Sequence, residues 1–301
     1  MDTPQATLSA LWKNAVCLVL TLRKLGIKRT VRQDVLAVET DRALVKVTKA
    51  ILACPEYKEI TKLDAQIRKR LSSYTLPSSL RPGIYLVPNA LLEEVDELIT
   101  NFKEKRESLI DYFVQVYPQR REEAQLKLAD LYNPADYPDV DTVKAGFLFE
   151  CQYLTFDLPG TLSTLSERLL TRETEKVSQK VRQMLDDAKT TLREAMAELV
   201  DHLMERLTPN ANGKAKTFKA GTVTNLMDFL NRFDARNLSQ DVDLQKLVNQ
   251  AKGLLSGMEP SRIRKDESVA TVVREGMRAI KSQLDELLVE KPSRVYVLED
   301  E

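Results

Sequence analysis

The sequence predicts a mostly helical α+β fold, with a long antiparallel, coiled-coil-like helical hairpin joined to a small antiparallel sheet. Three observations predict it. Apolar side chains recur at heptad spacing over two long stretches, 89–117 and 161–207. Three short β-rich segments, at 15–22, 84–87 and 294–298, lie next to glycine or proline punctuation. Glycine is scarce, with 9 in 301 residues, where average usage would give roughly 21. Sheets that turn tightly at every strand end, such as nucleotide-binding α/β folds, normally use more. The pattern divides into an α+β region over 1–160, containing the sheet and the first long helix. A helical region over 161–301 holds the longest helix and a terminal strand.

The elements follow in order. Residues 15–22 (Ala-Val-Cys-Leu-Val-Leu-Thr-Leu) read as a buried strand, followed by a basic turn ending at Gly26. Over 41–73, apolar residues recur every three or four positions and are interrupted near Cys54-Pro55, which predicts two helices. Ile84-Tyr85-Leu86-Val87 is a short strand between Pro82-Gly83 and Pro88. Asn89 is placed to cap a long helix, with Glu93, Glu94 and Asp96 near its positive end. Its stripe is Leu91, Val95, Leu98, Phe102, Leu109, Phe113 and Val116, with one gap near Arg106 that holds no apolar residue. Pro118 is expected to end or kink this helix, and a shorter helical piece follows over 120–131. A turn-rich run from Tyr132 to Pro138 leads to a long strand over 143–158.

The stretch 161–207 contains no proline or glycine. Its expected seam includes Val177, Val181, Leu185, Ala188, Leu192, Ala195, Leu199 and Leu203, which leaves Arg193 and Glu194 outside. Forty-seven residues would span roughly 70 Å, so the helix needs a partner, and the one expected is the 89–117 helix running antiparallel, extended by the C-terminal helices. A surface loop at 209–214, helices near 216–234, 241–256 and 264–290, and a strand over 294–298 complete the chain, which ends Glu299-Asp300-Glu301.

Charge is balanced, at 45 basic and 45 acidic residues, but unevenly spread. Residues 1–82 carry 15 basic and 7 acidic side chains, and 83–142 carry 6 and 13. Internal pairing of these two regions is the expected use. The run Ala15–Leu20 is far shorter than the roughly 20 residues a membrane span needs. Three unclustered cysteines read as buried apolar residues of a reducing compartment, so a cytoplasmic location and no membrane partner are expected.

Few chemistries survive inspection. Gly213-Lys214 lacks the preceding glycine and the following Ser/Thr of a phosphate loop. No Gly-x-Ser-x-Gly occurs, and any nucleophile–base set would have to recruit the single histidine, His202. His202 lies between Glu198 and Glu205 on one helix face, half of a metal site at most, without the second Glu-x-x-His a di-iron bundle needs. No enzyme activity and no cofactor are expected. Lys62, Arg68, Lys69 and Arg70, with Tyr74 nearby, form the densest basic cluster. They are candidates for gripping a partner, for phosphate contacts, or for docking on the acidic 93–107 stretch. Nucleic-acid binding by this cluster is the third-ranked reading and is not expected. The acidic end, Glu299, Asp300 and Glu301, is a second candidate partner contact. Tyr112, Phe113, Tyr117, Phe147, Phe149, Tyr153 and Phe156 read as the core joining sheet to helices.

Read in order, these elements resemble the family catalogued as domain of unknown function 3150, found in bacteria, plasmids and phages. The resemblance lies in Leu18-Val19-Leu20-Thr21-Leu22-Arg23-Lys24-Leu25, in Gly83-Ile84-Tyr85-Leu86-Val87-Pro88 leading to the helix with Phe113 and Tyr117, and in the Pro134 segment with Phe147-Leu148-Phe149 and Phe156. It covers roughly 10–160. The resemblance implies a subunit encoded beside a MoxR-type AAA+ ATPase and a von Willebrand factor A protein, trios that look like remodelling machines, some of them in antiphage defence. It carries over no functional residues. The first reading is therefore a non-enzymatic adaptor or scaffold of such a system. The second is a self-assembling coiled-coil protein of a phage or mobile element, a homo-oligomer.

Overall fold

The computed structural model describes residues 11–31, 46–78, 83–155, 167–208 and 220–289. About 73% of them are helical, so the chain is a mostly helical α+β protein with a small antiparallel sheet. Two compact units share it. One gathers Met1–Cys17, Ser73–Leu91 and Thr155–Glu301; the other gathers Leu18–Ser72 and Leu92–Leu154. Where the sequence suggests two consecutive regions meeting at 160/161, these units are interleaved along the chain.

The second, mixed unit begins within β1 (Ala15–Arg23), which buries Ala15, Cys17, Leu18 and Leu20 and leaves its last three residues half-buried or exposed. β2 (Lys28–Thr30) pairs antiparallel with β3 (Thr48–Ala50), placing Arg29 opposite Lys49. The ladder extends through Ile51 N–H to Ile27 O at 2.8 Å and Val31 N–H to Val47 O at 2.9 Å. This corrects the first of the two helices expected over 41–73. From Val47 to Ala50 the side chains alternate between half-buried and exposed, and with β-branched Val47, Thr48 and Ile51 in the segment an antiparallel partner outweighs the weaker helical spacing. The second helix, α1 (Pro55–Leu71), forms as expected, with proline at its first position, where a missing N–H costs nothing. It buries Tyr57, Ile60, Ile67 and Leu71, and with them Glu56 and Asp64.

Of the two outcomes expected at Pro118, an end or a kink, the end does not occur: helix α2 (Leu92–Leu128) continues through it. Proline forgoes one helical hydrogen bond and crowds the preceding turn, at a cost of about 3 kcal/mol. Buried Phe113 and Tyr117 on one side and the Glu56-bound Arg120 on the other hold both flanking turns in place. Asn89 does not act through its side-chain oxygen; its Nδ2 donates to Lys13 O at 2.9 Å. The expected strand over 143–158 begins only at β6 (Leu148–Leu154). Before it, Asp139 accepts from Thr142 N–H at 2.9 Å and caps a short helix, α3 (Val140–Ala145), which buries Val143. Phe113 is the centre of the core, edge-on to Tyr57, Tyr117 and Phe147.

β4 (Leu76–Pro77) pairs antiparallel with β5 (Ile84–Pro88), and the four-stranded sheet has the order β4-β5-β1-β6. The first unit also holds a helical bundle: α4 (Glu167–Leu207), α5 (Ala220–Arg236), α6 (Val242–Leu255), the short α7 (Pro260–Lys265) and α8 (Glu267–Val289). α4, α5, α6 and α8 each pack on two of the others, in a ring. α8 runs antiparallel to α4: Arg274 donates to Leu207 O, Lys281 pairs with Asp201, and Arg193 donates to Leu287 O. The sequence pairs 161–207 with 89–117, extended by the C-terminal helices; the partner found along its C-terminal half is one of the latter, α8. The buried stripe is also rotated from the expected seam. Val181, Met184, Ala188, Leu192, Met196, Val200 and Leu203 are buried, whereas Val177, Leu185, Ala195 and Leu199 are only half-buried. Gly276 brings α8 close to α6: a Cβ there would lie 2.5 Å from Leu254 Cδ2. The expected loop at 209–214, the strand over 294–298, residues 161–166 and Phe156 lie outside the described residues.

Candidate functional site

Helix α1 carries the first candidate cluster. Its positive charge follows from an amphipathic pattern in which Tyr57, Ile60, Ile67 and Leu71 face the core. Lys62 and Lys69 are seven residues apart and so lie on one line of the solvent face, with Lys58 one turn before them. Arg68 and Arg70 flank Lys69, each about 100° around the helix. All five are exposed. Lys62 pairs with Glu59 at 3.4 Å. The side chains of Arg68, Lys69 and Arg70 have no ion-pair partner among the described residues, and as the last-turn cations of α1 they complement its dipole. Tyr74 is not part of this cluster. It is buried in the bundle unit, where the Arg232 guanidinium lies 4.3 Å from its ring centroid.

The expected docking of basic α1 on acidic α2 occurs with the opposite polarity. The pairs that join these helices use carboxylates of α1 and arginines of α2. Arg106 Nε donates to Asp64 Oδ1 at 2.7 Å, and Arg120 grips Glu56 with two nitrogens at 3.1 and 2.5 Å. The Arg120 hydrogen bonds hold the Glu56 carboxyl below its ordinary range, against the opposing effect of burial. The basic face of α1 is therefore left for solvent or a partner.

Three buried arginines were not foreseen. Arg106, 2% exposed, also donates to Arg23 O at 2.8 Å and Leu148 O at 3.3 Å, which sets the end of β1 beside the start of β6 in antiparallel fashion. Its signal was the gap in the α2 stripe, since Arg106 occupies the core position seven residues after Ile99. Arg193, expected outside, is buried and grips Asp241 at 2.7 and 3.1 Å. Burial works to raise the Asp241 pKa, but hydrogen bonds from Arg193 and from Leu244 N–H outweigh it and leave the carboxyl below its ordinary value. A third, Arg236, donates to Thr75 O at 3.1 Å; burial and neighbouring Arg232 push its pKa down to about 10.

His202, Glu198 and Glu205 are exposed on α4, and among the described residues no group of three or more His, Cys, Asp or Glu gathers to hold a metal ion. Cys17 and Cys54 are buried and Cys151 is half-buried, all as free thiols; burial pushes Cys17 and Cys151 up to about 11. In the bundle unit an open depression of about 580 Å³ is lined by Met227, Leu230, Asn231, Lys252, Leu255 and Met258. The Lys252 ammonium pairs with Asp234 at 2.9 Å. No described helix is long and apolar enough to cross a membrane. Glu299, Asp300 and Glu301 lie outside the described residues. Comparison with protein-family models, with curated proteins and with solved structures finds no match.

Proposed function

We propose that this chain is a non-enzymatic adaptor or scaffold subunit that works with a MoxR-type AAA+ ATPase and a von Willebrand factor A protein, in the cytoplasm and in an antiphage setting. One observation carries the reading. Arg68, Lys69 and Arg70 project from a helix whose inner face is fixed by the Arg106–Asp64 and Arg120–Glu56 pairs. Cations held on a rigid element, with no carboxylate of their own among the described residues, suit an acidic partner surface, where complementary charge sets encounter rate and partner choice. The resemblance over roughly 10–160 supplies the identity of the partners.

The test is co-purification of the full chain with the ATPase and von Willebrand A proteins encoded beside it. The expected result is a salt-sensitive complex that is lost when Arg68, Lys69 and Arg70 are all changed to Glu, while the chain alone hydrolyses no ATP. Turnover by the isolated chain, or a complex indifferent to the triple change, overturns the reading. Salt-sensitive duplex DNA binding that disappears in the same variant would instead favour the nucleic-acid reading.

A further inference from the structure

The two edges of the four-stranded sheet are treated differently. β4 is two residues long and carries Pro77, and both features block strand addition. β6 is seven residues long, contains no proline or lysine, and among the described residues has only β1 as a sheet neighbour. Its side chains are half-buried or exposed along the whole strand, with Tyr153 at 37% and Leu154 at 41%. An open edge of this kind is a template for another strand.

The residue order identifies which strand fits. β6 reads Leu148-Phe149-Glu150-Cys151-Gln152-Tyr153-Leu154. Placed antiparallel to a copy of itself, with the two-fold axis at Cys151, every position meets a matching partner. Leu148 faces Leu154, Phe149 faces Tyr153, Glu150 faces Gln152, and Cys151 faces Cys151. Aromatic–aromatic and apolar pairs directly opposite each other are the units that stabilise a sheet, and like charges opposite each other weaken it. Shifting the axis by one residue spoils the match. At Glu150 it sets two carboxylates together; at Gln152 it sets Glu150 against Leu154. Glu150 and Gln152 now bond each other within the strand at 2.8 Å, so both carry the donor and acceptor the cross-strand pair needs. They share the solvent face with Leu154, while Tyr153 on the other face reaches Asp96 of α2 at 3.1 Å.

We propose that the free edge of β6 pairs antiparallel with the β6 of a second copy of this chain, joining two sheets across a two-fold axis at Cys151. The interface is isologous, as a closed dimer requires. It is independent of the α1 surface assigned above to protein partners.

Sedimentation equilibrium on the full chain should show a dimer. Gln152→Glu places Glu150 opposite a second carboxylate twice per dimer and should weaken association on the order of tenfold. Adding Glu150→Lys to that variant should restore it. Both positions are exposed and outside the core, so folding is retained. Antiparallel neighbours have Cα atoms about 4.5 or 5.5 Å apart, within the range a disulfide spans. Diamide, which takes up the two electrons and two protons of a thiol pair, should therefore give a covalent dimer in wild type and none in Cys151→Ser. A chain that stays monomeric, a dimer indifferent to both charge changes, or a cross-link that survives Cys151→Ser overturns the proposal.

Discussion

In the mixed unit Arg106 is enclosed by α1, α2, β1 and β6; in the bundle unit Arg193 is enclosed by α4, the start of α6 and the end of α8. Each guanidinium grips one aspartate with two nitrogens and spends its remaining donors on main-chain oxygens at the ends of other elements. They differ in what else the aspartate does. Asp64 stands mid-helix on α1. Asp241 caps α6, accepting from Leu244 N–H, and lies 3.9 Å from a second cation, Lys189. Two units with different architectures thus reach the same device, but the bundle version is buffered by further partners and, among the described residues, the mixed version is not.

The largest expected effect tests the unbuffered pair. Arg106→Met leaves Asp64 buried without its cation and also removes the donor to Arg23 and Leu148. Breaking one side of a buried pair costs about 3–5 kcal/mol, so chemical denaturation should show a loss of that order. Changing Asp64 to Leu in the same chain should recover much of it, because an apolar pair has no charge to desolvate. A double variant as weak as Arg106→Met alone would show that the main-chain bonds, not the carboxylate, carry the effect.

Arg193→Met should cost less, about 2–3 kcal/mol, because Asp241 keeps Lys189 and its capping bonds. Glu194→Ala, one residue along and exposed, should stay within about 0.5 kcal/mol. Equal losses at 106 and 193 would break the comparison by showing that the extra partners of Asp241 do nothing.

These arginines also mark where the sequence was legible. The long helices, β1, β5, α1 and the three C-terminal helices follow from apolar spacing, because burying a stripe of side chains needs no knowledge of the partner. Arg106 and Arg193 are invisible to that reading. Hydropathy scores a guanidinium as surface, and burial becomes favourable only when a carboxylate from a distant segment is already in place, 42 residues away for Asp64 and 48 for Asp241. β3 and α3 were missed for a related reason: three or six residues carry too little periodicity to outvote their neighbours, and an antiparallel partner and an Asp139 cap decided them. The basic cluster at Arg68, Lys69 and Arg70 was found because exposure is the default fate of adjacent charges. Its separation from Tyr74 required the fold.

Acid should distinguish the paired carboxylates from ordinary surface ones. Glu56 and Asp241 both bind protons less tightly in the folded chain than when unfolded. The unfolded state therefore takes up protons first as pH falls, and stability declines once pH drops into the ordinary carboxylate range. Their contribution is complete above that range and is lost as pH falls through their lowered values. Asp241→Asn keeps a good capping residue but removes the charge. Its stability should be lower at neutral pH and flatter on the acid side than wild type. Parallel curves would show that the Asp241 charge adds nothing to the bundle.

The smallest effect concerns two glycines on adjoining bundle helices. Gly253 lies in α6 and Gly276 in α8, and alanine in either helix interior would gain up to about 1 kcal/mol from reduced freedom of the unfolded chain and better helix propensity. A Cβ at Gly253 meets nothing within 4 Å, so Gly253→Ala should show the gain undiluted. A Cβ at Gly276 would lie 2.5 Å from Leu254 Cδ2 and 2.9 Å from Cδ1, and contact that close forces the leucine to move. Leu254 is half-buried and its clashing atoms are the far end of a flexible side chain, so it can turn away at modest cost. Gly276→Ala should thus fall near zero, its propensity gain offset by the displaced leucine. Removing the obstacle separates the two contributions. In a Leu254→Ala background Gly276→Ala should stabilise as Gly253→Ala does, and the difference between the two backgrounds measures the close approach of α8 to α6. If Gly276→Ala stabilises fully with Leu254 in place, the helices have room that their packing distance does not suggest, and glycine at 276 serves no contact between them.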